Sequence, residues 1–176
     1  MRIKPGEPAK EFEVSDVFDN SINLRSYKGK KLLLSFYRYA SCPFCNLRVH
    51  QIIQHHEAFQ QKSLCVLAFF QSPKKSILQY VGEQNAPFPI IADPSREVFR
   101  LYGVESSWKG VLRTGRRVAT LMSALKNGFI PGKMEGSKAL LPADFLVDCD
   151  LIVKEAYYGK DIGDHLPMEI IRQFIS

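Results

Sequence analysis

The feature that most constrains this chain is an abrupt change of pattern between residues 32 and 61. Leu32-Leu33-Leu34-Ser35-Phe36-Tyr37 is a short, nearly continuous apolar run, the mark of a strand covered on both faces. It breaks into Arg38-Tyr39-Ala40-Ser41 and then into Cys42-Pro43-Phe44-Cys45-Asn46. From Pro43 to about Gln61, Cys45, Val49, Ile52, Ile53, His56 and Phe59 recur at helical spacing. Pro43 suits a first helical position, where its missing N–H has no intrahelical partner to lose. The segment therefore reads as strand, turn and helix, with two thiols in the first helical turn. A thiol at that end faces unpaired N–H groups and the positive end of the helix dipole, which favour thiolate over thiol. Redox chemistry at Cys42 and Cys45 is the first functional expectation.

The rest of the chain reads around this corner. Phe12 and Val14 predict a short strand, Asp19-Asn20 a turn, and Ile22 and Leu24 a return strand. Leu64–Phe70 is a second buried run. Ser72-Pro73 reads as an N-cap and first helical residue, opening a helix to about Gln84. Phe88–Ile91 is strand-like but contains Pro89, which suits a sheet edge. A turn at Asp93-Pro94 precedes a short helix over Arg96–Tyr102, closed by Gly103. Residues 104–127 read as helical, with Val111, Val118, Leu121, Met122 and Leu125 as their apolar positions, and 127–138 as a glycine-bearing loop. Phe145–Asp148 and Leu151–Tyr158 form a hairpin around Cys149-Asp150, and Leu166–Ile175 a last amphipathic helix. Strands alternating with helices, then a hairpin and a helix, predict a layered α/β domain. At 176 residues, with no internal repeat or linker, residues 1–176 read as a single domain.

Charge and cysteine content narrow the function further. The chain carries a formal charge of +6, and residues 104–140 hold seven basic side chains against Glu105 and Glu135. That surplus is either a solvated face or a site for acidic partners. Nucleic acid is not expected, because no recognised motif or interleaved aromatic set accompanies the charge. No apolar run reaches the ~20 residues of a membrane span, so no membrane partner is expected. Met1–Gly6 lacks an apolar signal region, which predicts a cytoplasmic location. Four cysteines in a reducing compartment are not a disulfide framework, so a Cys-x-x-Cys there is redox-active or metal-binding. Zinc would need two further ligands. Cys65 lies in a core strand, Cys149 in a distant turn, and the adjacent His55 and His56 point to different sides of a helix. No metal and no cofactor are expected. His165, the only late histidine, is the sole candidate for a copper-chaperone role. His56, on the apolar stripe, reads as a packed histidine.

Phe36-Tyr37-Arg38 through Cys42-Pro43-Phe44-Cys45-Asn46 resembles the signature of the peroxiredoxin-like branch of the alkyl hydroperoxide reductase and thiol-specific antioxidant family. Gly6-Glu7-Pro8-Ala9, Tyr27-Lys28-Gly29-Lys30, Phe88–Pro94 before Tyr102-Gly103-Val104, and Leu141–Asp148 are similar to further family segments. The resemblance implies a thioredoxin-like fold: a central mixed sheet flanked by helices, with an N-terminal hairpin and a helical or loop insertion at about 104–140. It implies a thiol-dependent antioxidant oxidoreductase that reduces hydroperoxides, with Cys42 attacking and Cys45 resolving as an intramolecular disulfide. Cys42 is expected to be the more exposed sulfur and Cys45 the deeper one. A thioredoxin- or glutaredoxin-type dithiol would be the reductant, and a homodimer is an open assembly.

Arg38, four residues before Cys42, is placed to lower its pKa and to bind peroxide. Tyr39 and Pro142 are candidate substrate-binding residues, the proline being cis in the family. Trp108 either lines the site or anchors its segment. The chain also departs from the family proper. Tyr39 stands where peroxiredoxins place a threonine, and the region of their later-strand arginine reads Leu141-Pro142-Ala143-Asp144. Thiol–disulfide exchange on the same cysteines is therefore a rival reaction. A redox-sensing, partner-binding module that uses the basic segment is a rival of another class.

Overall fold

The computed structural model describes residues 1–176. Its centre is a five-stranded mixed sheet in the order β5-β4-β3-β6-β7. Here β3 is Lys31–Tyr37, β4 is Leu64–Phe70, β5 is Ile90–Ala92, β6 is Ala143–Val147 and β7 is Val153–Tyr158. β3, β4 and β5 run parallel, and β6 and β7 are antiparallel to their neighbours. A separate hairpin joins β1 (Glu13–Ser15) to β2 (Ser21–Asn23). Asp16 Oδ1 accepts from Phe18 N and Asn20 N and so holds its turn. This is the central mixed sheet that the resemblance implies, and the proline-bearing run at 88–91 does lie on a sheet edge. Its strand begins only at Ile90, because Pro89 cannot donate to the ladder.

The two-residue period of β3 divides the interior. Leu32, Leu34 and Phe36 face one core with Phe69, Phe99, Tyr102 and Phe145. Phe36 stacks on Phe69 at 4.7 Å between ring centroids. Leu33 and Tyr37 face the other core, where Tyr37 stacks on Phe70, also at 4.7 Å. Helix α1 (Pro43–Gln61) covers that second face. Its buried positions Cys45, Val49, Ile52, His56 and Phe59 follow helical spacing, as the sequence predicts. Each fully buried aliphatic or aromatic side chain there stabilises the fold by about 1.5–3 kcal/mol relative to exposure. His56 is a packed histidine, its ring 5.7 Å from Phe88, and burial pulls its pKa down.

Three helical expectations need correction. The helix after β4 is α2 (Lys74–Tyr80), followed by a separate 3₁₀ turn at Gly82–Gln84. Its N-cap is Pro73, not Ser72. The Ser72 hydroxyl instead accepts from Ala40 N, in the loop before Cys42. After α3 (Glu97–Leu101), residues 104–127 form α4 (Trp108–Arg113), a 3₁₀ turn at Thr114–Arg116, and α5 (Val118–Lys126). Their apolar positions do not form a core stripe. Val118, Met122 and Leu125 are exposed, and only Ala124 of α5 is fully buried. Helix α6 (Met168–Ile175) buries Ile171 and Ile175 as its pattern predicts. No helix is long and apolar enough to cross a membrane.

Candidate active site

Strand β3 delivers the chain to a tight loop at 38–41, and Cys42 becomes the N-cap of α1 with Pro43 at N1. The loop is held by side chains that the sequence does not announce. Asn46 Nδ2 donates to Ala40 O at 2.6 Å and to Cys42 O at 3.0 Å, and Gln84 Nε2 donates to Asn46 Oδ1. Cys42 N closes the turn onto Tyr39 O at 3.0 Å.

Both cysteines are free thiols, and both are fully buried. The expectation that Cys42 is the exposed one fails, for a tertiary reason. Residues 132–140 fold back across the helix end. Ser41 Oγ donates to Lys133 O at 2.7 Å, and Gln71 and Ser137 exchange hydrogen bonds of 2.9 Å. Two glycines let this cover lie flat. A Cβ at Gly132 would meet Tyr80 Oη at 2.6 Å, and Gly136 has φ +66° with Gln71 Oε1 2.6 Å from where its Cβ would be.

Arg38 ties the cover to the thiol. It is 3% exposed, which removes the reading of a water-screened surface arginine. Its Nε donates to Leu140 O at 2.9 Å and its Nη2 to Lys138 O, while Nη1 points at Cys42 Sγ at 3.8 Å. Its guanidinium lies 4.9 Å from the centre of the Tyr39 ring. The segment thus meets the site with backbone carbonyls, not with its cations.

The two thiols titrate apart. Burial pushes Cys42 up, but a hydrogen bond from Cys45 and the adjacent Arg38 charge outweigh it and bring the thiol down to about 7. Burial, and then the Cys42 sulfur itself, hold Cys45 well above the ordinary thiol range. Burial followed by the Cys42 charge also pushes Tyr39 up to about 12, so its phenol keeps its proton near neutrality. One activated sulfur therefore sits beside one protonated sulfur, a nucleophile and its partner.

The remaining expected site residues fall at the margin. Pro142 precedes β6, and its carbonyl accepts from Gly159 N at 2.9 Å. Every peptide bond in the chain is trans, so the expectation of a cis bond at Pro142 is corrected. Trp108 begins α4 with two thirds of its surface exposed. Helix α4 approaches the β6 entrance through Gly110, which lies against Leu141, and not through the tryptophan.

Sequence reasoning also missed a buried polar group on β6. Asp144, fully buried on β6 opposite Ser35, accepts from Ser35 Oγ, pairs with His165 Nδ1 at 2.9 Å and accepts from Leu166 N at 2.8 Å. Burial would raise its pKa, but His165, Arg48 and the Ser35 hydroxyl bring it down to about 2. The available signal was an aspartate in an otherwise apolar strand. His165 is thereby committed to Asp144, 5.1 Å from the Tyr37 ring.

The chain is also similar to known proteins. A family model described as the AhpC/TSA family matches residues 5–156. A Mycobacterium tuberculosis protein, provisionally named a peroxiredoxin, is 28% identical over 102 residues, covering 58% of this chain and 65% of its own length. The chain thus spans about two thirds of the length of the curated relatives it matches first. Peroxiredoxin Bcp of Escherichia coli is 22% identical over 125 residues, 69% of this chain and 80% of that protein. The crystal structure of a cysteine-to-serine variant of Xylella fastidiosa PrxQ superposes with a TM-score of 0.73 at 13% identity, covering 99% of this chain and 96% of that one, which shows the shared fold.

Proposed function

The chain belongs to the AhpC/TSA family, and from that premise we propose that it is a thiol peroxidase working through Cys42 and Cys45. The Cys42 thiolate attacks the terminal oxygen of a hydroperoxide. The O–O bond breaks, the alkoxide takes a proton and leaves as alcohol or water, and Cys42 becomes a sulfenic acid. Cys45 then attacks that sulfur, giving up its proton as the S–S bond forms, and the expelled hydroxide takes that proton and leaves as water. The product is a Cys42–Cys45 disulfide, which an external dithiol of the thioredoxin or glutaredoxin type reduces by exchange.

The observation that carries this reading is Arg38 Nη1 at 3.8 Å from Cys42 Sγ, fixed by two cover carbonyls. There it holds the thiolate and can also donate to a peroxide oxygen as charge develops. Because both sulfurs are buried, the reaction needs residues 132–140 to move aside for substrate and again for reductant.

Disulfide reduction on the same cysteines is the second reading. Tyr39 stands where the family proper has a threonine, and buried Asp144 lies in the region where it has its second arginine. Mass spectrometry after a brief hydroperoxide pulse separates the two. A Cys42 sulfenate followed by an intramolecular Cys42–Cys45 disulfide supports the peroxidase. Oxidation by small disulfides but not by micromolar to low-millimolar hydroperoxide replaces it with the reductase. If Cys42→Ser leaves both activities intact, neither reading stands.

A further inference from the structure

The outer face of residues 108–126 is the strongest surface feature that the thiol chemistry leaves unused. On α4, Trp108 and Leu112 are one turn apart and 66% and 81% exposed. On α5, Val118, Met122 and Leu125 fall at i, i+4 and i+7, and all three are exposed. The helix is pinned from behind by Ala124 and half-buried Leu121, so the packing turns this apolar stripe outward. Only residues 114–117 separate the two stripes. Exposed apolar side chains grouped this closely along the chain mark a candidate interaction surface.

Lys109, Arg113, Arg116 and Lys126 are interleaved with those side chains and exposed, and none of the four enters an ion pair. Arg117, by contrast, is consumed by Asp161 and Asp164. The face is therefore both apolar and unneutralised. A second copy docked by twofold symmetry would oppose cations with cations. A peptide partner that reads the apolar side chains calls for a groove holding them, yet none of Trp108, Leu112, Val118, Met122 and Leu125 lines the larger neighbouring concavities: Asn127–Ile130 with Tyr80, Arg117 and Thr120 with Phe44, and Arg113 and Arg116 with Tyr157, Asp161 and Asp164. Exposed Trp, Leu and Met side chains among long, exposed cations have the chemistry of a bilayer interface.

We propose that α4 and α5 dock this protein peripherally on an anionic lipid surface, with Trp108, Leu112 and Met122 entering the headgroup boundary and Lys109, Arg113 and Lys126 facing lipid phosphates. The expectation of no membrane partner rested on the absence of a spanning run, which does not bear on surface binding. Docking is independent of the thiols, so it stands or falls separately from the peroxidase reading.

Trp108 is the chain's only tryptophan and reports directly on the contact. The full-length chain is mixed with vesicles of phosphatidylcholine and phosphatidylglycerol in equal parts, or of phosphatidylcholine alone. Emission should shift to the blue and the protein should co-sediment with the anionic vesicles only, and high salt should reverse both. Reversing Lys109 and Arg113 to Glu should weaken partitioning by at least about tenfold. Leu112→Ser with Met122→Ser should weaken it with the charge unchanged, and Cys42→Ser should bind as the wild type. No shift with anionic vesicles overturns the proposal. So does a shift that follows protein concentration alone, which makes the face a self-interface. An equal shift with soluble polyglutamate also overturns it, by assigning the face to an acidic polymer or protein.

Discussion

The corner at residues 31–61 and the segment at 104–140 meet at Cys42, yet they obey different rules. In the corner, each local preference agrees with its tertiary use: the apolar run is buried in the sheet, Pro43 opens the helix, and the periodic residues of α1 face the core. In the segment, local preference and use separate. Its apolar stripe faces solvent, most of its cations reach no partner, and its contribution to the thiol is a pair of backbone carbonyls on Arg38. Pattern thus identifies what a helix is, while its neighbours decide which way it faces.

The sharpest way to break this contrast is to truncate one apolar residue in each region. Ile52→Ala, in the fully buried stripe of α1, should lower unfolding free energy by about 2–5 kcal/mol. Met122→Ala, on the exposed stripe of α5, should stay within about 0.5 kcal/mol. Chemical denaturation measures both, and equal losses would mean that α5 is buried in solution.

Asp144 gives the next effect, through pH. Its folded carboxyl is depressed to about 2. The stability it contributes is therefore complete above the unfolded value, about 4, and is lost as pH falls through the folded value. Unfolding free energies measured from pH 5 down to 2 should show about 2 kcal/mol more acid sensitivity in the wild type than in Asp144→Asn. Parallel curves would mean that the Asp144–His165 pair does not hold the carboxylate.

Arg38 joins the two regions, so Arg38→Leu tests the joint. The pH midpoint of Cys42 alkylation should rise from about 7, and each pH unit of that rise should slow the reaction near neutrality by about tenfold. Arg38→Lys should recover part of the midpoint, since it restores charge without the fork that holds Leu140 and Lys138. An unmoved midpoint in Arg38→Leu would assign the thiolate to Cys45 and the helix end alone.

The smallest effect belongs to the cover itself. Gly136→Ala forces a side chain onto a left-handed backbone and against Gln71, at about 1–2 kcal/mol. Bulky thiol reagents should then reach Cys42 faster, while the overall fold and the response to small alkylators change little. If bulky and small reagents respond alike, residues 132–140 do not control access.

Much of this molecule was legible in its residues. Strands 31–37 and 64–70, helix 43–61, the hairpin around Cys149-Asp150 and the thiol pair at a helix start all follow from short-range periodicity, proline geometry and capping. The family resemblance carried by Cys42-Pro43-Phe44-Cys45 extended that to a central mixed sheet flanked by helices. What stayed hidden depends on contacts far apart in the chain. Asp144 and His165 are 21 residues apart, and Arg38 meets carbonyls 100 and 102 residues away. A carbonyl acceptor has no signature, because every residue carries one. The sequence alone therefore determined that Cys42 would be a thiol at a helix end, where the dipole and Pro43 are local facts. Only the tertiary structure decided that this thiol would be covered and held by a buried arginine. The covering atoms belong to backbone that is brought there by the sheet, and no residue pattern records them.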